Sequence, residues 1–111
     1  MTLTAPFPFA GPEPLWRGIE DALQRVVDPE LALSIVDVGL VYGVTVTDTM
    51  AHVLLTMTSA ACPVADLIIE DIEAELDGAV PAGMTIQVEL TWAPPWSSDR
   101  MSEGAKRFMG W

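Results

Sequence analysis

The sequence predicts an α+β domain in which helices pack on a small single layer of three mainly antiparallel strands. Apolar residues recur at helical spacing in two stretches, residues 15–27 and 63–76. They alternate with polar residues in three others, residues 41–47, 51–58 and 85–92. The predicted order is helix, strand, strand, helix, strand and a short helix. A chain of 111 residues suffices for one such domain with a single core.

Residues 1–14 precede this domain and contain four prolines. Proline blocks regular structure, so the segment is predicted to be a flexible, extended arm. Phe7 and Phe9 leave two alternatives open. Either they anchor the arm on the domain or on a partner, or the terminus is loosely attached. The predicted domain therefore comprises residues 15–111.

The first helix and the connection after it occupy residues 15–38. The helix is predicted to end before Pro29, because the residue preceding a proline is disfavoured in the helical region. Residues 31–38 form a short apolar connection with at most a turn of helix. Gly39 follows, and it permits a backbone bend that most residues resist.

The first two strands are predicted to form a hairpin around a turn at residues 48–50. On the second strand the alternation places His52 on the same face as Thr56 and Thr58. His52 is the only histidine, and we expect it to be a solvent-facing or satisfied strand residue rather than a catalytic one. The third strand, residues 85–92, is predicted to bury one face.

The second helix is predicted to begin at Pro63, directly after the only cysteine, Cys62. A thiol at a helix amino terminus ionises more readily, and the thiolate is the form that binds metals and attacks electrophiles. The alternative is that Cys62 is a buried small apolar residue, as free cysteines commonly are. The acidic side chains of this helix are expected to form a solvated face.

Composition excludes several classes of function. Sixteen acidic and five basic residues give a formal net charge of −11, which disfavours nucleic-acid binding. One cysteine excludes an internal disulfide and a single-chain cysteine-rich zinc site, and one histidine excludes a multi-histidine metal site within the chain. No phosphate-binding glycine motif occurs. No signal peptide or membrane-spanning stretch is recognised, so we expect a cytoplasmic protein without a membrane partner.

The candidate functional residues cluster between one strand and the next helix. Thr56, Thr58 and Cys62 all fall there, and loops at such edges commonly hold functional groups. The hydroxyls are suited either to hydrogen-bond a thiolate or bound sulfide, or simply to cap the helix. Asp37, beside Gly39, is a candidate carboxylate at the same edge.

Four motifs stand out along the chain: D-P-E at residues 28–30, S-I-V-D-V-G-L-V-Y at 34–42, T-M-T-S-A-A-C-P at 56–63 and W-A-P-P-W-S-S-D-R-M-S at 92–102. In order and spacing they resemble the metal–sulfur cluster biosynthesis family of SufT- and PaaD-like iron–sulfur cluster assembly factors. The resemblance covers residue 15 to the carboxyl terminus.

The resemblance implies a non-enzymatic accessory role in assembling iron–sulfur clusters or transferring them to client proteins. It places the motif aspartate at Asp37, the threonines at Thr56 and Thr58, and the metal-binding cysteine at Cys62. Ala61 stands where many members have glycine. Because a cluster normally takes four ligands, a single cysteine implies a transient, shared site, completed by a homodimer or by client thiols, with nothing held at rest.

The implied partners are the assembly machinery and client apoproteins. Trp92 and Trp96 are a candidate docking surface, since exposed aromatic residues mark interfaces, or else they are core residues. Two alternatives to a general assembly role remain open. One is PaaD-like maturation of a phenylacetate-degrading oxygenase, although the extra carboxyl-terminal cysteines of those proteins are absent. The other is a thiol-based redox or adaptor protein.

Overall fold

The computed structural model describes residues 7–29, 31–58 and 65–110. Within these residues, four α-helices and a mixed four-stranded sheet enclose one apolar core, and a small two-stranded sheet stands beside them. The helices are α1 (Glu13–Gln24), α2 (Ile35–Val38), α3 (Ala65–Asp77) and α4 (Glu103–Met109). The strands are β1 (Phe9–Ala10), β2 (Val27–Asp28), β3 (Leu33–Ser34), β4 (Val41–Val46), β5 (Met50–Leu55) and β6 (Thr85–Leu90).

The α+β class is confirmed, but the predicted three-stranded, mainly antiparallel sheet is wrong. The strand order is β1–β4–β5–β6. Among the described strands of this sheet only the β4–β5 hairpin is antiparallel, whereas β1 pairs parallel with β4 and β6 pairs parallel with β5. The reason for the parallel β6 is α3, which carries the chain back along the sheet before the next strand begins. Strands joined by a helical crossover run parallel, whereas hairpin-joined strands run antiparallel.

The segment predicted as a proline-rich arm supplies the fourth strand. Pro8 accepts a 2.9 Å hydrogen bond from the Val44 N–H, and the Phe7 side chain is buried. The Phe7 ring stands edge-on to Trp16 with their centroids 5.5 Å apart. Of the two alternatives for this arm, anchoring on the domain is therefore observed for residues 7–10. The domain boundary at residue 14 stays a prediction.

Helix α1 begins and ends earlier than the sequence predicted. It starts at Glu13, because prolines are compatible with the first helical turn. It ends at Gln24, and Val27 and Asp28 then pair with β3 instead of extending the helix. Strand β3 and helix α2 together occupy most of the stretch predicted as an apolar connection, residues 31–38.

The core lies between the helices and one face of the sheet. The inward-facing residues of β5 are fully buried, as are the inward residues of α1 and α3. Strand β5 ends at Leu55, so the predicted alternation stops there and both Thr56 and Met57 are buried. Among the described residues no helix is long and apolar enough to cross a membrane.

Candidate functional site

Three chain segments meet at one edge of the sheet, where β5 and β6 end and β4 begins. The Thr56 N–H donates to the Leu40 carbonyl oxygen at 2.8 Å, which joins the end of β5 to the start of β4. The Thr91 N–H donates to the Leu55 carbonyl oxygen, also at 2.8 Å, which joins the end of β6 to the end of β5. The carboxyl ends of parallel strands are where α/β sheets commonly place binding sites.

Thr56 is the most unusual residue at this edge. It has no exposed surface, and its Oγ1 is a buried side-chain atom without a hydrogen-bond partner in the described part of the chain. Leaving a buried hydroxyl unpaired costs about 1–3 kcal/mol, so such an atom in a folded protein requires a reason. The cost is incurred at a position that the sequence singled out as functional.

Cys62 lies outside the described residues, as do its neighbours from 59 to 64. Its placement at a helix amino terminus and its role as metal ligand therefore stay predictions. Along the chain it stands between Thr58, which is half-buried, and Ala65, where α3 begins.

Asp37 lies on α2, beside the same edge, and is half-buried. Ser34 caps the amino terminus of α2, where its Oγ accepts a 3.2 Å hydrogen bond from the Val36 N–H, and Gly39 follows the helix in the left-handed conformation. Gly39 therefore makes the bend that the sequence predicted for it. The Asp37 carbonyl oxygen accepts a 2.8 Å hydrogen bond from the Ser102 N–H, so this aspartate is held against the carboxyl-terminal segment.

The two tryptophans of the predicted docking surface have different environments. Trp92 is 45% exposed and follows β6 at the site edge. Trp96 is half-buried, and its indole Nε1 donates a 2.8 Å hydrogen bond to the Val38 carbonyl oxygen. Trp96 therefore attaches the carboxyl-terminal segment to α2, and Trp92 is the one that presents an apolar surface to solvent.

Tyr42 and Arg100 contribute to this edge, although the sequence analysis gave neither a role. The Tyr42 hydroxyl donates a 2.7 Å hydrogen bond to the Pro94 carbonyl oxygen. The Arg100 guanidinium carbon lies 4.2 Å from the centre of the Tyr42 ring, in cation–π geometry. Both residues lie within motifs that the sequence analysis quoted, at residues 34–42 and 92–102. The sequence did not indicate that the two motifs contact each other.

The remaining candidate groups lie elsewhere. His52 is hydrogen-bonded across β5 and β6, with its Nε2 2.9 Å from Glu89 Oε1, which confirms the prediction of a satisfied strand histidine. On α3 most acidic side chains are exposed, and Glu75 pairs with Arg25 at 2.7 Å. No three His, Cys, Asp or Glu side chains within residues 7–29, 31–58 and 65–110 are grouped so that they could hold a metal ion.

Comparison with known proteins gives consistent matches. The model of the iron–sulfur cluster assembly protein family matches residues 17–90. The chain is 40% identical over 99 residues to the Fe-S protein maturation auxiliary factor YitW of Bacillus subtilis (strain 168), covering 88% of this chain and 96% of that protein. It is 41% identical over 86 residues to the Fe-S protein maturation auxiliary factor SufT of Staphylococcus aureus (strain USA300), covering 77% of this chain and 97% of that protein.

Among solved structures, the fold resembles a DUF59 domain of unknown function from Bacillus anthracis. The TM-score is 0.81 at 41% sequence identity, and the match covers 88% of this chain and 93% of that one. The residues matched by the family model, 17–90, include the sheet edge around Thr56. The chain therefore belongs to the iron–sulfur cluster assembly protein family.

Proposed function

We propose that this chain is a non-catalytic, cytoplasmic accessory factor of iron–sulfur cluster assembly, which takes up a cluster or its iron transiently and passes it to client apoproteins. The cluster is cargo in this proposal rather than a resident cofactor. Support comes from relatives named Fe-S protein maturation auxiliary factors at 40% and 41% identity. Both matches cover nearly the whole of the relative.

One observation supports the sheet edge as the working site: the buried hydroxyl of Thr56 has no hydrogen-bond partner within residues 7–29, 31–58 and 65–110. A hydroxyl donates one hydrogen bond and accepts others. Sulfur in a thiolate or a bound sulfide is an acceptor that it would satisfy. Thr56 would then support the Cys62 sulfur, with Thr58 beside it along the same chain segment.

Cys62 is proposed as the ligand of the cargo, because thiolate is the usual iron ligand in these clusters. A cluster normally takes four protein ligands, and the described residues offer no group of acids and histidines to complete the set. Thiols of the client would supply the others during transfer. Asp37, held by Ser102 at the same edge, would orient or tune this site.

Trp92 is proposed as the contact for clients. Its side chain is 45% exposed and it directly follows Thr91, which is hydrogen-bonded to the end of β5. An exposed tryptophan beside the transfer site combines a large apolar area with a polar N–H, a combination typical of residues that dominate interfaces. Trp96 would hold the segment that presents it.

The experiment is cluster transfer under anaerobic conditions with the Cys62→Ser variant. Wild-type protein is supplied with ferrous iron and sulfide and mixed with an apo-ferredoxin as a generic acceptor, whose visible circular dichroism reports the cluster it receives. We expect Cys62→Ser to keep the wild-type thermal unfolding midpoint and to lose the acceleration of transfer. Alkylated wild-type protein is the matched control, since it keeps the sequence and lacks a free thiolate. Equal transfer by wild type and Cys62→Ser would remove the thiol from the function.

A further inference from the structure

Strand β6 forms an open lateral edge of the main sheet, running along the side of the sheet and distinct from the edge at which the strands end near Thr56. In the order β1–β4–β5–β6, no further strand of the described chain lies beyond it. Exposed edges are templates for pairing with another strand, and proteins usually protect them with proline, lysine or a bulge. β6 reads T-I-Q-V-E-L, without proline or lysine, and its one charged residue, Glu89, lies 2.9 Å from the His52 ring of β5. Its pairing with β5 runs without a register shift. The opposite edge differs, because β1 partly covers β4.

The hydrogen bonds to β5 determine which backbone groups of β6 are free for pairing. The N–H groups of Thr85 and Thr91 donate to the carbonyl oxygens of Thr49 and Leu55, at 2.9 and 2.8 Å. Successive residues of a strand direct these groups alternately to the two sides. The odd-numbered residues of β6 therefore bond to β5. The N–H and C=O groups of Ile86, Val88 and Leu90 point to the open edge.

The side chains of the same three residues leave apolar surface at this edge. They are paired in register with Ala51, Val53 and Leu55 on the core face of the sheet. Those three β5 residues are fully buried, whereas Ile86, Val88 and Leu90 are only half-buried. A strand added beyond β6 would cover this strip and pair the free backbone groups at the same time.

We propose that β6 of a second copy of this chain occupies the edge, antiparallel and centred on Val88, so that the two four-stranded sheets become one. A two-fold axis at Val88 sets Val88 opposite its counterpart and Ile86 opposite Leu90 of the second copy. Every free N–H and C=O of these residues then has a partner. On the outer face, Gln87 comes opposite Glu89 of the second copy.

Neighbouring registers are less favourable. Centring the pair on Gln87 leaves both backbone groups of Leu90 without a partner in β6 of the second copy. Centring it on Glu89 sets two carboxylates directly opposite each other, which is destabilising. The symmetric register at Val88 avoids both costs, and this self-complementarity identifies a second copy as the occupant.

The dimer has a consequence for the site. In an antiparallel pair, the carboxyl end of one β6 lies beside the amino end of the other. The Thr56 sites of the two copies therefore lie at opposite ends of the joined β6 strands. For a six-residue strand this separates them by about 20 Å or more. A dimer built this way leaves the two sites separate, so client thiols rather than a second Cys62 would complete a cluster. The dimer itself does not depend on the proposed function.

The test measures dimer dissociation by sedimentation equilibrium for a matched set of charge variants. Gln87→Lys sets a lysine opposite Glu89 of the second copy, and Gln87→Glu sets a glutamate there. We expect the dissociation constant to fall roughly three- to tenfold for the first and to rise as much for the second, because the pair occurs twice in a symmetric dimer. Thr45→Lys and Thr45→Glu are the controls, since Thr45, His52 and Gln87 lie in one row across the sheet.

The controls carry the same charge changes two strands away from the edge. Their distance from the second copy exceeds a Debye length of about 8 Å at physiological salt, so they should change the dissociation constant less than twofold. A wild-type chain that stays monomeric up to about 1 mM overturns the proposal, since even weak association is populated there. The proposal is also overturned if Gln87→Lys and Gln87→Glu shift the dissociation constant in the same direction. It is overturned as well if the β6 edge binds a strand of a client protein while this chain stays monomeric. Cys62→Ser should dimerise as wild type does, which separates this test from that of the transfer function.

Discussion

Gly39 and Arg100 lie in direct backbone contact. A Cβ placed on Gly39 would come within 2.7 Å of the Arg100 carbonyl carbon, closer than such atoms approach in folded proteins. This contact lies among three hydrogen bonds that join residues 92–102 to residues 37–42. They run from Trp96 Nε1 to the Val38 oxygen, from the Tyr42 hydroxyl to the Pro94 oxygen, and from the Ser102 N–H to the Asp37 oxygen. Two of the four motifs are therefore packing partners.

Replacing Gly39 with alanine should destabilise the fold strongly. Gly39 has φ +84°, a conformation that costs other residues about 1–2 kcal/mol, and the overlap with Arg100 adds about 1–3 kcal/mol as overpacking does. Gly83→Ala is the matched control, because Gly83 has φ +88° and no atom within 4 Å of the added Cβ. Urea unfolding of the two variants measures the difference. Equal losses would mean that the Arg100 contact relaxes freely.

Replacing Thr56 with valine should raise the stability of the fold and reduce cluster transfer. The substitution keeps the shape and removes a buried hydroxyl that no described residue pairs with, so we expect the free energy of unfolding to rise by about 1–2 kcal/mol. If the hydroxyl serves the cargo, cluster transfer to apo-ferredoxin should fall at the same time. Thr56→Ser keeps the hydroxyl and is the control for transfer. A Thr56→Val protein that is no more stable than wild type would show that Oγ1 finds a partner in solution.

Replacing Trp96 should lower the stability of the fold, whereas replacing Trp92 should affect cluster transfer. Trp96→Phe removes the donor to the Val38 oxygen and should lower the free energy of unfolding by about 1–2 kcal/mol. Trp92→Ala changes an exposed residue and should cost less than about 0.5 kcal/mol, while it slows transfer if Trp92 docks the client. Thermal unfolding and the transfer rate, measured on both variants, check this. The docking role is contradicted if Trp92→Ala transfers normally.

Phe7 should behave as a core residue. It is 3% exposed and packs edge-on against Trp16, so Phe7→Ala is expected to cost about 3 kcal/mol through the cavity that it leaves. Phe9→Ala is the matched control, because Phe9 is only half-buried, with its ring 5.3 Å from Trp16, and should cost less. Denaturant unfolding ranks the two. A Phe7→Ala protein as stable as wild type would show that the arm is loosely attached after all.

The positions of the main elements were predictable because their apolar residues follow the period of the structure they adopt. Alternation placed β4, β5 and β6 within a few residues of their observed bounds, and helical spacing located α1 and α3. The direction of β6 was missed because alternation is the same in parallel and antiparallel strands. The helix between β5 and β6 distinguishes the two; the sequence predicted that helix, but the strand direction was not inferred from it. β1 was missed because four prolines obscured the short pairing of Phe9 and Ala10 with β4.

The amino-acid sequence by itself determined the α+β class, the elements and the kinship, because periodicity and motif spacing are properties of a linear chain. It also singled out Asp37, Thr56 and Thr58. Only the tertiary structure decided that Thr56 is buried with a hydroxyl that has no partner among the described residues, and that Trp96 attaches the carboxyl-terminal segment while Trp92 is exposed. Burial and pairing depend on residues distant in the chain, such as Leu40 beside Thr56 and Val38 beside Trp96. Residue spacing along one segment contains no record of those contacts.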